Sequence, residues 1–331
     1  MDFKQKFTYI VAGILFLYCA NVQGRGFFHR ADSLLTEWYR LGKSVDTAYI
    51  VRPPQKMSVS AYATVFRSDL SLHGAYRKSP YYENFKSQSE RYFSLYYSYK
   101  GVTLGYSVNP AKVAGKYHDN EFSFNSYGSA VCLEFNYHHA KDLNGVGMMD
   151  SSVFHIEEGL IDQRSINANL FFVFNNKKFS YPAAFGNSYI QEKSAGGILI
   201  GMSYMHTKTQ TMGGTLIGDY GLSLKINMVG IGAGYGRNWV PVRNLLIHVS
   251  GLPTLGIFEK HEIKTANHLM EGRKFPNFII AARSAVVYNF GRWFTSGSCV
   301  VQYATQHFDY DYVSVVEYMK WNWVYSVGLR F

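Results

Sequence analysis

The sequence predicts an all-β protein: a closed antiparallel transmembrane β-barrel following a cleaved signal peptide, with twelve strands, or ten as the alternative. Three observations predict it. Segments of about ten residues alternate apolar with small or polar side chains at a period of two. The chain opens on an export-type leader. It ends on an aromatic residue that completes an alternating strand.

The leader comes first. Lys4 and Lys6 form a short positive region, and Phe7 to Cys19 is an apolar stretch of 13 residues. That length suits a signal-peptide core and is too short for a spanning helix. Val22-Gln23-Gly24 supplies the small residues for cleavage after Gly24, with Ala20 as the alternative site. The bulky Tyr18 argues against lipid modification of Cys19. The expected divisions are a signal peptide at 1–24, a lead-in or plug segment at 25–55, and the barrel at 56–331.

Composition agrees. Charged residues are 17% of the chain and aromatics another 17%, led by 27 Tyr and 24 Phe. Tyrosine suits surfaces that are apolar at one end and wet at the other. The net charge of +10 favours anionic partners such as lipid phosphates. Nucleic acid is excluded as a partner because the basic residues are scattered and export separates the chain from it. The expected partners are outer-membrane lipid, lipopolysaccharide included, and the outer-membrane assembly machinery. The expected location is the outer membrane. After the leader only Cys132 and Cys299 remain, too few for a disulfide framework.

No run of roughly 18 apolar residues follows the leader, so no transmembrane helix is expected. The last strand is the clearest. Trp321, Trp323, Tyr325, Val327, Leu329 and Phe331 share one face, opposite Asn322, Val324, Ser326, Gly328 and Arg330. Successive strand side chains point to opposite faces. A terminal aromatic on such a ladder can add to an exposed strand edge in one register only, so this face is the candidate membrane-insertion signal.

The same alternation recurs upstream. Phe93 to Tyr99 and Val102 to Val108 flank a short turn at Lys100-Gly101. Val131 to Tyr137, Ile166 to Phe174, Ile198 to Tyr204 and Ile280 to Phe290 follow it. In 228–237 the glycines recur every second residue, which is not the spacing of a nucleotide loop. A strand whose inner face meets backbone or a plug explains them better.

Eleven such segments are visible, and a single-chain bacterial barrel needs an even number. Either 57–66 lies outside the barrel, or a strand at Phe179 to Phe185 makes twelve. The polar stretches 67–89, 139–164, 207–219 and 258–277 read as long loops on one rim. Short turns near 100 and 291 read as the other rim.

A secreted, glycan-binding β-sandwich would also alternate. Its outer face, however, should carry many Lys, Glu and Asp. Here the less apolar face is Ser, Thr, Asn, Gly and Tyr, which suits a crowded lumen. Lipid leaves edge groups without water, so a spanning sheet must close on itself.

One block is specific: Asn175-Asn176-Lys177-Lys178-Phe179-Ser180-Tyr181-Pro182-Ala183-Ala184-Phe185, then Gln191-Glu192-Lys193-Ser194-Ala195-Gly196. Tyr235-Gly236-Arg237-Asn238-Trp239-Val240-Pro241 is a second. On these blocks the chain resembles the Bacteroidetes outer-membrane family catalogued as domain of unknown function 4421, over roughly 46–331. Gly197 stands where the family more often has Ser. The resemblance implies location and fold and transfers no catalytic residue.

Some outer-membrane barrels are hydrolases or acyltransferases acting on lipid or peptide, which need a nucleophile and base or paired acids. The candidates are His307, Asp309 and Asp311 in HFDYDY, where acids beside a histidine could activate water. His261, Glu262, His268 and Glu271 could hold a metal, and His138 and His139 lie at a strand end. None has the spacing of a known zinc site. The expectation is therefore no catalytic residue, metal or cofactor, in either a structural or binding barrel or a narrow channel.

Overall fold

The structure is a computed structural model that describes residues 45–331, apart from 77–78, 88–89, 100–101, 116–119, 142, 150–151, 158, 212–222, 265–268, 272–273 and 309–313. The leader and most of the lead-in therefore lie outside the described residues, as do Asp309, Asp311, His268 and the Lys100-Gly101 turn.

In chain order the first strands are β1 (Ile50–Val51), β2 (Met57–Tyr76), β3 (Ser79–Lys86), β4 (Glu90–Tyr99) and β5 (Val102–Val108). After helix α1 (Pro110–Val113) come β6 (Asn120–Tyr127), β7 (Val131–Ala140), β8 (Asn144–Met149), β9 (Ser152–Ile156) and β10 (Ile161–Val173). Helix α2 (Tyr181–Phe185) precedes β11 (Ile190–Gln191), β12 (Ala195–Thr211), β13 (Ser223–Trp239) and β14 (Leu245–Lys264). The last strands are β15 (Leu269–Glu271), β16 (Lys274–Phe290), β17 (Trp293–His307) and β18 (Val315–Arg330).

Antiparallel ladders join them in the order β5-β4-β2-β18-β17-β16-β14-β13-β12-β10-β7-β6. Among the described residues no ladder joins β5 to β6, although the two approach within 8 Å between Cα atoms. The segment 57–66 is thus part of the sheet, where β2 pairs with the C-terminal strand from Ser58–Arg330 to His73–Val315.

Beyond Phe66 the free edge of β2 changes partner from β4 to β3. The β8/β9 hairpin, which leaves β7 after three residues, then adds to β3. The stretches 67–89 and 139–164, expected as loops, are largely strand for this reason. So is the start of 258–277, because β14 runs on to Lys264.

Alternation orders the two faces. In β12, Ile198, Ile200, Met202 and Tyr204 are 39–53% exposed while Leu199, Ser203 and Met205 are buried. In β18, Trp323, Tyr325 and Phe331 are exposed while Ser326 and Arg330 are buried. One face of these strands thus carries exposed apolar side chains and the other carries buried side chains. Cys132 is buried, Cys299 is partly exposed, and both are free thiols.

Two further findings correct the sequence reading. Phe179 to Phe185 is no strand. Ser180 caps a short helix, its Oγ accepting from the Ala183 N–H at 3.2 Å, and Pro182 sits in the first turn. Proline fixes a helical φ where no intrahelical N–H bond is needed, so the local chemistry favours a helix start over a ladder. The second correction concerns the rims. The connection from β10 to β12 is long, yet it leaves from the rim of short turns and folds inward.

Gly236 shows how closely that connection packs. A Cβ there would come to 2.9 Å from the Phe179 ring. Gly328 makes room in the same way for the ring of Phe294, its partner across β17 and β18. Gly328→Val should lower stability by about 1–3 kcal/mol through overpacking, read as a lower urea midpoint with an unchanged slope.

Candidate functional site

The inner face holds a polar lattice at the level of the inward-folded connection. Its hub is Gln191 on β11, 2% exposed. Its Oε1 accepts from the Ser180 N–H and from Asn238 Nδ2, each at 2.9 Å. Its Nε2 donates to the carbonyls of Lys178 at 2.6 Å, Lys193 at 2.9 Å and Tyr49 at 3.3 Å. One amide thus ties together the connection, the lead-in and β13. The lead-in is held twice, because β1 pairs with β11 and Ile50 packs against Ala184, Leu246 and Val287.

From Asn238 the lattice crosses from β13 to β14. Asn238 Oδ1 lies 2.7 Å from His248 Nδ1, and His248 Nε2 lies 2.9 Å from Ser250 Oγ. Ser250 in turn lies 3.4 Å from the Tyr181 hydroxyl. Serine, histidine and amide in that order resemble a nucleophile, its base and an orienting group. The surroundings argue against that role. His248 and Asn238 are 0% exposed, and Ser250 is 3%. Phe179 stacks on the imidazole at 6.0 Å, while Tyr181 and Phe185 meet it edge-on at 5.1 and 5.0 Å. The Ser250 hydroxyl is thus covered, and the lattice holds the connection against β13 and β14.

Beside it an ion pair joins two strands that are not neighbours in the sheet. Arg283 on β16 donates two bonds to Glu134 on β7, Nε–Oε1 at 3.1 Å and Nη2–Oε2 at 2.6 Å. Those strands are separated in the sheet by β10, β12, β13 and β14. Asn169 and Tyr127 also donate to Glu134, at 3.0 and 3.1 Å. Arg283 lies over the Phe171 ring at 5.4 Å. Toward the other rim Leu70, Phe85, Ile161, Met205, Ile226 and Val316 belong to one buried apolar cluster.

The candidates named from sequence are mostly separated by the strand period. His261 points inward at 2% exposure, 3.5 Å from Glu259, whereas Glu262 points outward to Lys260 at 3.0 Å and Lys225 at 3.7 Å. Neither residue is in a loop, because both lie on β14. His138 and His139 part likewise. His138 turns in toward Glu90 at 3.8 Å, and His139 turns out to Asp162 at 3.0 Å.

His307 ends β17, and its N–H donates to Asn277 Oδ1 at 2.6 Å. Asn277 donates in turn to Glu259 at 2.6 Å, so the structure brings His307 and His261 into one inner network. Among the described residues no three His, Cys, Asp or Glu groups converge as metal ligands. Inward Arg330 is committed to the Asn187 carbonyl at 2.9 Å and Asn289 at 2.8 Å. Sequence reasoning missed Gln191, Asn238, His248 and Ser250, because a lattice spread over three elements leaves no local motif.

Similar solved structures are outer-membrane proteins. The outer membrane protease OmpT from Escherichia coli is 5% identical, with 85% of this chain and 98% of that one covered, at a TM-score of 0.42. The translocator domain of the autotransporter NalP from Neisseria meningitidis is 9% identical, covering 92% and 98%, at 0.31. The toluene transporter TodX from P. putida is 6% identical, covering 84% and 91%, at 0.26. No curated protein matches the sequence. The family profile described as "Domain of unknown function (DUF4421)" matches residues 44–331, and the chain belongs to that family.

Proposed function

We propose that this chain is an exported outer-membrane barrel that carries no open channel and serves as a structural or binding protein of the cell envelope. In this reading the ring is closed by twelve strands, β2, β4–β7, β10, β12–β14 and β16–β18, with the seam between β5 and β6. The signal peptide is cleaved, and the outward ladder of Trp321 to Phe331 is the edge that the assembly machinery reads.

One observation carries the reading: inward polar residues are dry. Asn169, Ser203, Thr207, Arg283, Gln306 and Ser326 are all 0–4% exposed. A water-filled bore would leave such side chains wet. Here the plug, the Glu134–Arg283 pair and the apolar cluster fill the space instead.

The test is a pair of measurements on the full mature chain. Its gel mobility should change on boiling, as spanning barrels often show, and it should need detergent to stay in solution. In planar bilayers it should give no steady conductance. Recurrent single-channel steps from the wild type would sink the non-channel reading, and a detergent-free soluble monomer would sink the membrane reading.

A further inference from the structure

The outer wall carries a second pattern just beyond the apolar belt. Arg164 on β10, Lys208 on β12 and Lys225 on β13 are direct register partners, Arg164 opposite Lys208 and Lys208 opposite Lys225. They share the parity of Ile198, Ile200, Met202 and Tyr204, so they point outward. Like charges directly opposite one another on neighbouring strands are destabilising. A row of three therefore needs something to offset it.

Neighbouring acids do so only at the ends. Asp162 meets Arg164 at 3.4 Å and Lys141 at 3.6 Å. Glu262 meets Lys225 at 3.7 Å and Lys260 at 3.0 Å. Lys208, in the middle, has no anionic partner among the described residues.

We infer that this row binds the phosphates of a phosphorylated glycolipid, lipopolysaccharide, in the outer leaflet; the inference rests on the membrane reading above. Position decides the source. Lys208 lies four residues beyond Tyr204 on β12, which is about 13 Å along a strand and about 10 Å in height at a typical tilt. That is where hydrocarbon gives way to headgroups. The row also lies toward the rim of long connections, opposite the short-turn rim that carries Phe331, and in bacterial barrels that rim faces outward. Lysine and arginine bind phosphate by charge-assisted hydrogen bonds, and adjacent strands present three such donors side by side.

The experiment uses the full mature chain refolded in detergent and titrated with bisphosphorylated lipid A, with dephosphorylated lipid A and with inorganic phosphate. The variant R164Q/K208Q/K225Q is compared with R243Q/R292Q, which removes two exposed cations from the other rim. The triple variant should bind lipid A roughly a hundredfold more weakly, and R243Q/R292Q should bind like the wild type. Dephosphorylated lipid A should bind as weakly to the wild type as lipid A does to the triple variant.

Undiminished binding by the triple variant, equal binding of the dephosphorylated lipid, or free phosphate binding as tightly as lipid A would each overturn the proposal. Heat-dependent gel mobility shows that each variant is folded, and K208Q alone replaces the triple variant where that one fails to fold. Loss of heat-dependent mobility in the wild type, seen before any lipid is added, marks failure of the membrane reading instead.

Discussion

Arg283→Ala should destabilise the folded barrel by about 3–5 kcal/mol, measured by reversible urea unfolding in lipid vesicles. The figure follows from what is left behind. Glu134 stays 6% exposed, its charge held only by Asn169 and Tyr127. A buried carboxylate stripped of its cation loses the attraction that offset its desolvation. The loss should not be additive. Glu134→Leu/Arg283→Leu removes both charges and replaces them with apolar volume, so it should recover most of the stability. Full additivity of the two single changes would show that the two groups do not interact. Because the pair spans strands that share no ladder, its loss should also loosen the ring, seen as faster amide exchange in β7 and β16.

The all-β architecture and the sides of its strands were legible in the sequence because alternation along a strand obeys a one-dimensional rule. Trp323, Tyr325 and Phe331 are exposed and Ser326 and Arg330 are buried, as their parity requires. The same rule explains why the candidate groups dissolved. His261-Glu262 and His138-His139 are neighbours in sequence, and that adjacency places them on opposite faces of one strand. A true cluster on a sheet joins residues two apart or across a ladder. His248 and Ser250 are two apart, and Asn238 is the ladder partner of His248. That arrangement depends on register, which alternation alone does not supply.

The inward-folded connection was illegible for a different reason. Phe179 to Phe185 is apolar and short enough to pass for a strand, and only the Ser180-Tyr181-Pro182 start distinguishes it. The specific block at 175–196 supplies the buried side chains and hydrogen bonds that hold this connection against β13 and β14. Gln191 and Tyr181 are held by tertiary partners from β13, β14 and the lead-in, and no local pattern encodes those contacts.

Met202→Arg should cost about 2–4 kcal/mol in vesicles, whereas Met202→Leu should be nearly neutral. Met202 is 48% exposed, has Leu170 and Ile231 as its ladder partners, and sits amid the outward apolar row of β12. If that wall meets hydrocarbon, a guanidinium there must snorkel or thin the bilayer. On the water-facing surface of a soluble sandwich the same change would stay within about 0.5 kcal/mol. The two architectures thus differ severalfold on one substitution, and the inner lattice plays no part in the outcome. Arg at 202 tolerated in lipid as well as Leu would mean that the apolar wall covers something other than a bilayer. A depth series along the same face sharpens the test: the penalty should fall from Met202 through Tyr204 toward Lys208, where a cation already stands.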